Sequence, residues 1–439
     1  MMTRIRLNPL DGMAAVIDDA FRHAGLPGAQ CVQVVVLDDR VQPERLVWSV
    51  ERLAKRHLLA TARLHRPWWA WWPRWVVQPD DTISVDVVDG QGEVDPAALA
   101  AELLDEPADL RSDPPVKVVL HRDRSGRDAV ALRWSHVLTD ARGGDLLLRD
   151  LGRCYAGDFD GDDAPTPARP PALDVTGPAP LRSRPPGRRD EVFSVMNVGA
   201  SGRIRVAVTP IDAAESQRVR ENAAHVAGFG RTSIFVIAAC LRALRRECIR
   251  TVRPDAIFRI WWPFGLREGP PPASLPGNEY GGVHLQCSAT EAADLATLVA
   301  RLTRDAIGQL SRGQHRSLWR IARRLRIGFY PAVCLAARWS GRLRRGKRLT
   351  TQFRFGGRLL GGDDRWGGIP IAGGFAAAVC PPNHPVTVSL SETAGGVHIT
   401  VTWLDGAIAD ETRQRLVEDF RDELLGQGGT ANRSRTHTV

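Results

Sequence analysis

Apolar positions recur along this chain with two alternating rhythms, and the switches between them lay out a mixed α/β protein. Residues 9–25 predict a helix: Pro9 suits its first turn, Met13, Val16, Ile17 and Phe21 share one face, and Gly25 suits its stop. Gln30–Leu37 is rich in β-branched residues and predicts a strand. Pro43–His57 places Leu46, Val47, Val50, Leu53 and Ala54 on one helical side, and a strand is expected at Thr61–Leu64. Asp95–Leu104 reads as a helix with Pro96 in its first turn. Val116, Val118 and Leu120 then alternate, Asp123–Arg127 forms a turn, and Val130, Leu132 and Trp134 alternate again, so a hairpin is predicted.

The rhythm stops at residues 157–190, where proline and glycine abound. This stretch divides the chain into an N-terminal lobe, 1–156, a linker or crossover, 157–190, and a C-terminal lobe, 191–427; residues 428–439 are expected to be a disordered tail. The second half predicts a strand at Arg203–Val208, helices at Asp212–Ala227 and from Thr232 to about Arg246, and a strand at Ala256–Trp262. A helix follows at Ala292–Leu310, then a hairpin of Val386–Leu390 and Val397–Trp403 around Ala394-Gly395-Gly396, and a closing helix at Asp410–Leu425.

Candidate chemistry concentrates in residues 129–151, AVALRWSHVLTDARGGDLLLRDL. The period-two strand gives way to helical spacing at Leu146, Leu147, Leu148 and Leu151, and His136, Asp140, Gly143 and Gly144 lie between. A neutral imidazole at a strand exit can take a proton from a hydroxyl or amine near neutral pH. The partial positive charge of a following helix N-terminus disfavours the imidazolium, and Asp140 can cap that helix or hold an arginine. The competing reading is a packing histidine, since a single His-x-x-x-Asp also arises by chance.

Ser135-His136-Val137-Leu138-Thr139-Asp140-Ala141 resembles the His-His-x-x-x-Asp-Gly motif of the condensation-domain and CoA-dependent acyltransferase superfamily. Serine replaces the first histidine and alanine the final glycine. The resemblance implies a two-lobed chloramphenicol-acetyltransferase-like α/β fold, each lobe a mixed sheet with flanking helices, with the active site at the lobe junction and reached from both faces. It implies His136 as general base, Asp140 as structural support, and Ser135 as a hydroxyl placed to donate to an oxyanion or to the loop. Ala141, Gly143, Gly144, Arg267 (after the strand ending WWPFGLR) and Asn278 (in Pro276-Gly277-Asn278) are the implied substrate-binding positions. Asp363, Trp366 and Gly367 match parts of the superfamily's second, structural motif; a turn-rich surface loop is the alternative.

The implied reaction moves an acyl group from a thioester, on CoA or on a carrier protein's phosphopantetheine arm, to an alcohol or amine, with no acyl-enzyme and no tightly bound cofactor. Ala141 supports a different outcome, a degenerate relative that binds a thioester or a partner protein without catalysis.

Seven scattered cysteines without a Cys-x-x-Cys pair imply neither a zinc ribbon nor a disulfide framework, and the dispersed histidines imply no metal. With no signal-peptide core and no run of about 18–20 apolar residues, the expected location is cytoplasmic. The net charge of +9 is concentrated in residues 312–348, where twelve arginines and lysines occur without one carboxylate. A solvated face is one reading; CoA phosphates, an acidic acyl carrier protein or an anionic membrane surface are the functional ones. Nucleic acid is not expected, because the segment matches no nucleic-acid-binding module. Residues 67–75, PWWAWWPRW, hold five of thirteen tryptophans and suit either a packed aromatic corner or an acyl-chain or membrane-interface surface.

Overall fold

The computed structural model describes residues 3–66, 70–78, 81–90, 95–124, 126–158, 202–251, 256–266, 277–343, 350–381 and 384–427. The first half runs β1 (Thr3–Arg6), α1 (Pro9–His23), β2 (Gln30–Leu37), α2 (Pro43–Arg56), β3 (Arg63–His65), β4 (Arg74–Val77), β5 (Ser84–Asp89), α3 (Pro96–Asp105), β6 (Val116–Arg122), β7 (Asp128–Ser135) and α4 (Ala141–Ala156). The second half begins with β8 (Ile204–Ile211), α5 (Ala213–Ala227), α6 (Thr232–Arg250), β9 (Ile257–Gly265), β10 (Tyr280–Ser288), α7 (Leu295–Ser311), α8 (Ser317–Leu325) and α9 (Tyr330–Leu343). It closes with β11 (Thr351–Arg358), β12 (Arg365–Trp366), β13 (Ile369–Ala378), β14 (Val386–Thr393), β15 (Gly396–Leu404) and α10 (Asp410–Leu424).

These strands form two large mixed sheets, one in the order β12-β13-β2-β7-β6-β5 and one in the order β10-β9-β11-β14-β15-β8, with a small third sheet, β1-β4-β3. The first is not built from the first half alone. β13 pairs antiparallel with β2, Phe375 opposite Val34, so the second half supplies two strands to the first sheet. One buried cluster accordingly joins Val32 and Val34 of β2 and Leu103 of α3 to Phe235 of α6 and Val388 of β14. The linker expected at 157–190 falls outside the described residues from 159 onward, as does the tail at 428–439.

Several strands escape the periodicity for a physical reason. β10 begins Tyr-Gly-Gly and β13 reads IPIAGGFAAA, compositions with poor strand propensity. The glycines permit close approach instead: a Cβ at Gly374 would come within 2.9 Å of the Val34 carbonyl across the sheet. Trp366 is buried, donates from Nε1 to the Leu148 carbonyl at 2.9 Å and stacks on Tyr155, so this part of the 356–368 segment is a packed wedge; Asp363 is exposed. Among the described residues, no single helix is long and apolar enough to cross a membrane.

Candidate active site

β7 is buried along all eight residues, between β2 and β6, and this rigid strand delivers His136. The exit is tied down by backbone bonds: the Ser135 N–H donates to the Pro115 carbonyl at 2.8 Å, and the His136 N–H to the Ala29 carbonyl at 2.7 Å. Ser135 is fully buried and its Oγ accepts the Val137 N–H at 3.2 Å. Its oxygen therefore ties down the loop that follows the strand.

Asp140 is the N-cap of α4, with Oδ1 accepting the Gly143 N–H at 3.1 Å. Its other oxygen, Oδ2, accepts the Glu279 N–H at 2.9 Å. One carboxylate thus starts the helix after His136 and grips a segment of the second half. Gly143 and Gly144, expected to line a substrate site, are buried, and the structure gives them packing work. A Cβ on Gly143 would collide with Thr139 and one on Gly144 with the Trp134 ring, so their smallness lets α4 lie against its own strand. Ala141 is exposed at the first turn of α4 rather than packed. Arg267 lies outside the described residues.

Asn278 is the residue that brings the halves together. It is fully buried, and its Nδ2 donates to the His136 carbonyl at 2.8 Å and to Asp11 Oδ1 at 2.9 Å. Its backbone N–H also donates to Asp11 Oδ1, at 2.7 Å, and its carbonyl accepts Asn8 Nδ2 at 3.1 Å. Asn8 and Asp11 form the capping box of α1, Asp11 N–H to Asn8 Oδ1 at 2.8 Å and Asn8 N–H to Asp11 Oδ2 at 3.0 Å. Gly277 is needed beside them, since a Cβ there would crowd Asn8 Nδ2 and Asp11 Oδ2. Burial pushes the Asp11 carboxyl up to about 7, against the three N–H groups that donate to it and would lower it.

His136 is half-buried, with Nδ1 enclosed by protein. The Tyr280 ring meets it edge-on at 5.6 Å. Its pKa is lowered, first by burial and then by the positive charge of Arg354 on β11, so the neutral imidazole is favoured. Cys31 on β2 is also near Arg354, and burial pushes its thiol up to about 11. Asp11, Asn8, Tyr280 and Arg354 were not singled out from sequence. The Asn-x-x-Asp capping spacing at 8–11 was visible, but nothing in sequence ties it to a loop 267 residues away.

The sequence matches no family model and no curated protein. Solved structures give full-length likenesses. The first condensation domain of the CDA synthetase aligns with a TM-score of 0.69 at 15% identity, covering 98% of each chain. The TRI3 trichothecene 15-O-acetyltransferase from Fusarium sporotrichioides gives 0.68 at 11% identity, covering 97% of this chain and 96% of that one. Polyketide synthase associated protein 5 from Mycobacterium tuberculosis gives 0.61 at 15% identity, covering 93% and 96%.

Proposed function

We propose that this chain, which has the two-lobed fold of condensation domains, is an acyltransferase that carries an acyl group from a thioester to a hydroxyl or amine. The observation that carries the reading is the clamp on His136. Its backbone is held from the first half by β2's neighbour Ala29 and from the second by Asn278, and its ring stays partly open at the meeting of the lobes. A base so held loses little on aligning with an acceptor, and general base catalysis is typically worth about 10²–10⁴-fold.

In this reading Nε2 of His136 takes the acceptor's proton as its oxygen or nitrogen attacks the thioester carbonyl. The C–S bond of the resulting tetrahedral species then breaks, and the sulfur leaves as a thiolate that regains a proton from the imidazolium. No acyl-enzyme is required. The nearby thiol, Cys31, is held protonated by burial, which makes it a poor nucleophile. The donor is acyl-CoA or an acyl group on a phosphopantetheine arm, and neither is a resident cofactor.

The test is mass spectrometry of the purified chain with a panel of acyl-CoAs and acyl-carrier proteins against amines and alcohols. An ester or amide product that disappears in a folded His136→Ala variant supports the reading. Product formed equally by that variant would remove His136 from the chemistry.

A further inference from the structure

Two sequence features left without a role, the tryptophan-rich stretch and the basic segment, meet in the structure. The Tyr330 N–H donates to the Trp71 carbonyl at 3.1 Å, and Trp72 Nε1 donates to the Gly328 carbonyl at 3.0 Å. Trp71 lies edge-on to Phe329 and Trp72 to Tyr330. Behind them, α8 packs Trp319 and Ala322 against Leu10 and Met13 of α1, while α9 packs Cys334 against Val16 and Trp72.

The outer surface of this unit is unusual. Among the described side chains of α9 the exposed positions are Ala332, Leu335, Ala336 and Trp339, an apolar helical stripe at spacings of three and four. Ile321 of α8, Ile327 and Phe329 of the connection, and Trp71, which meets Phe329, are exposed as well; Ile327 is 77% exposed, Trp71 61% and Trp339 58%. Arg323 and Arg324 stand exposed beside them, and neither has a carboxylate partner among the described residues. The sequence holds no Asp or Glu between Asp305 and Asp363.

We infer that α8, α9 and Trp71 form a docking surface for an anionic lipid bilayer. Apolar and indole groups enter the headgroup boundary while arginines beside them meet lipid phosphates; each feature alone has other uses, but a lipid interface uses both. A soluble acidic partner would satisfy the arginines and leave the apolar stripe in water. A second copy in a two-fold contact would bury Arg323 and Arg324 of both chains with no Asp or Glu from residues 306–362 to pair them. The surface does not depend on His136 being a base, although α8 shares its packing cluster with Tyr280, which touches that ring.

The full chain is mixed with vesicles of phosphatidylcholine alone or with about 30% phosphatidylglycerol, at about 0.1 M and about 1 M salt, and sedimented. Binding to the anionic vesicles should exceed binding to neutral ones by about tenfold at low salt and fall at high salt. The pairs Leu335→Glu with Trp339→Glu, and Arg323→Glu with Arg324→Glu, should each reduce it by about tenfold. Phe229→Ser, an exposed apolar residue on the α5–α6 connection, should leave it unchanged. Equal binding to both vesicle types, or no effect of either pair, overturns the inference. So does a wild-type dimer dissolved by the Leu335 and Trp339 substitutions, which assigns the face to a second copy. Retention by an acidic carrier protein without vesicle binding assigns it to a protein partner and overturns it equally.

Discussion

Two histidine and aspartate pairs share α4, and they are arranged in opposite ways. His57, just past α2, places Nε2 2.8 Å from Asp150 Oδ2, with both side chains almost entirely buried and Arg56 adding a second contact at 3.3 Å. Burial pushes the Asp150 carboxyl up, but the bond from His57 and the charges of His57, Arg56 and Arg149 outweigh it, so its pKa ends below the usual range. At the other end of α4, Asp140 directs its oxygens to the Gly143 and Glu279 backbones, and His136 keeps part of its ring open. Contact with a carboxylate therefore does not mark the proposed base. The enclosed pair is a fastener between α2 and α4; the half-open histidine, clamped through its backbone, is the one that can meet a substrate.

The sharpest way to break this contrast is to exchange the consequences. His136→Ala should lower turnover by about 10²–10⁴-fold while denaturant unfolding stays close to wild type. Asp150→Asn should do the reverse: removing one member of a buried ion pair costs about 3–5 kcal/mol, with the turnover of the folded fraction unchanged. Unfolding curves alongside kcat decide it. A stable Asp150→Asn protein with no turnover would move the chemistry to the enclosed pair.

Asp11 offers the next largest effect. Its folded pKa of about 7 lies above the ordinary carboxylate value of 3.8, so between these values the folded state holds a proton that the unfolded chain releases. That contribution to stability is fully present below about pH 4 and is lost as pH rises through about 7, by at most about 4 kcal/mol. Asp11→Asn should flatten this component of the slope between pH 5 and 8. It should also loosen Asn278, because an amide accepts with one oxygen only. Denaturant unfolding at several pH values, variant against wild type, measures the difference, and identical slopes would mean that Asp11 does not titrate in this range.

The contrast also explains what could be read in advance. Periodicity located the helix before β2, the β6–β7 hairpin and the closing hairpin because apolar side chains recur there at helical or alternating spacing. It said little about β13, whose glycines and alanines fit against β2 rather than following a pattern. At the site, His136, Asp140 and Asn278 were marked by local spacing and resemblance, and the structure brings the three together. Asp11 and Arg354 were illegible, since their relation to the base exists only after β10 and β11 have packed onto the first half. Gly143 and Gly144 were legible as special positions, but their packing role was not: their neighbours Thr139 and Trp134 are close in sequence, yet the collision appears only once the strand and helix fold together.

Asp140 sharpens the comparison at the open end of α4. Asp140→Ala removes the cap of α4, typically worth about 1 kcal/mol, and leaves the buried Glu279 N–H without this acceptor, which costs about 1–3 kcal/mol. Both consequences are structural. Melting should fall and turnover should fall with it, and Asp140→Asn, which keeps one carbonyl oxygen, should be milder on both counts. An Asp140→Asn protein that melts like wild type yet has lost its chemistry would make the carboxylate a participant in the reaction.

The smallest effect tests what keeps His136 neutral. Burial is the larger cause of its lowered pKa and survives any change at Arg354; the arginine's charge is the second cause. Arg354→Gln removes only the second, so the pKa of the base should move up toward the ordinary imidazole range without reaching it. The sign is fixed: with a higher pKa more of the base is protonated at mildly acidic pH, so the acid limb of kcat/KM shifts to higher pH while the rate above neutrality changes little. The pH–rate profile is the measurement. An unmoved limb with a raised KM would place Arg354 on the substrate instead, holding an anionic group of the donor or acceptor.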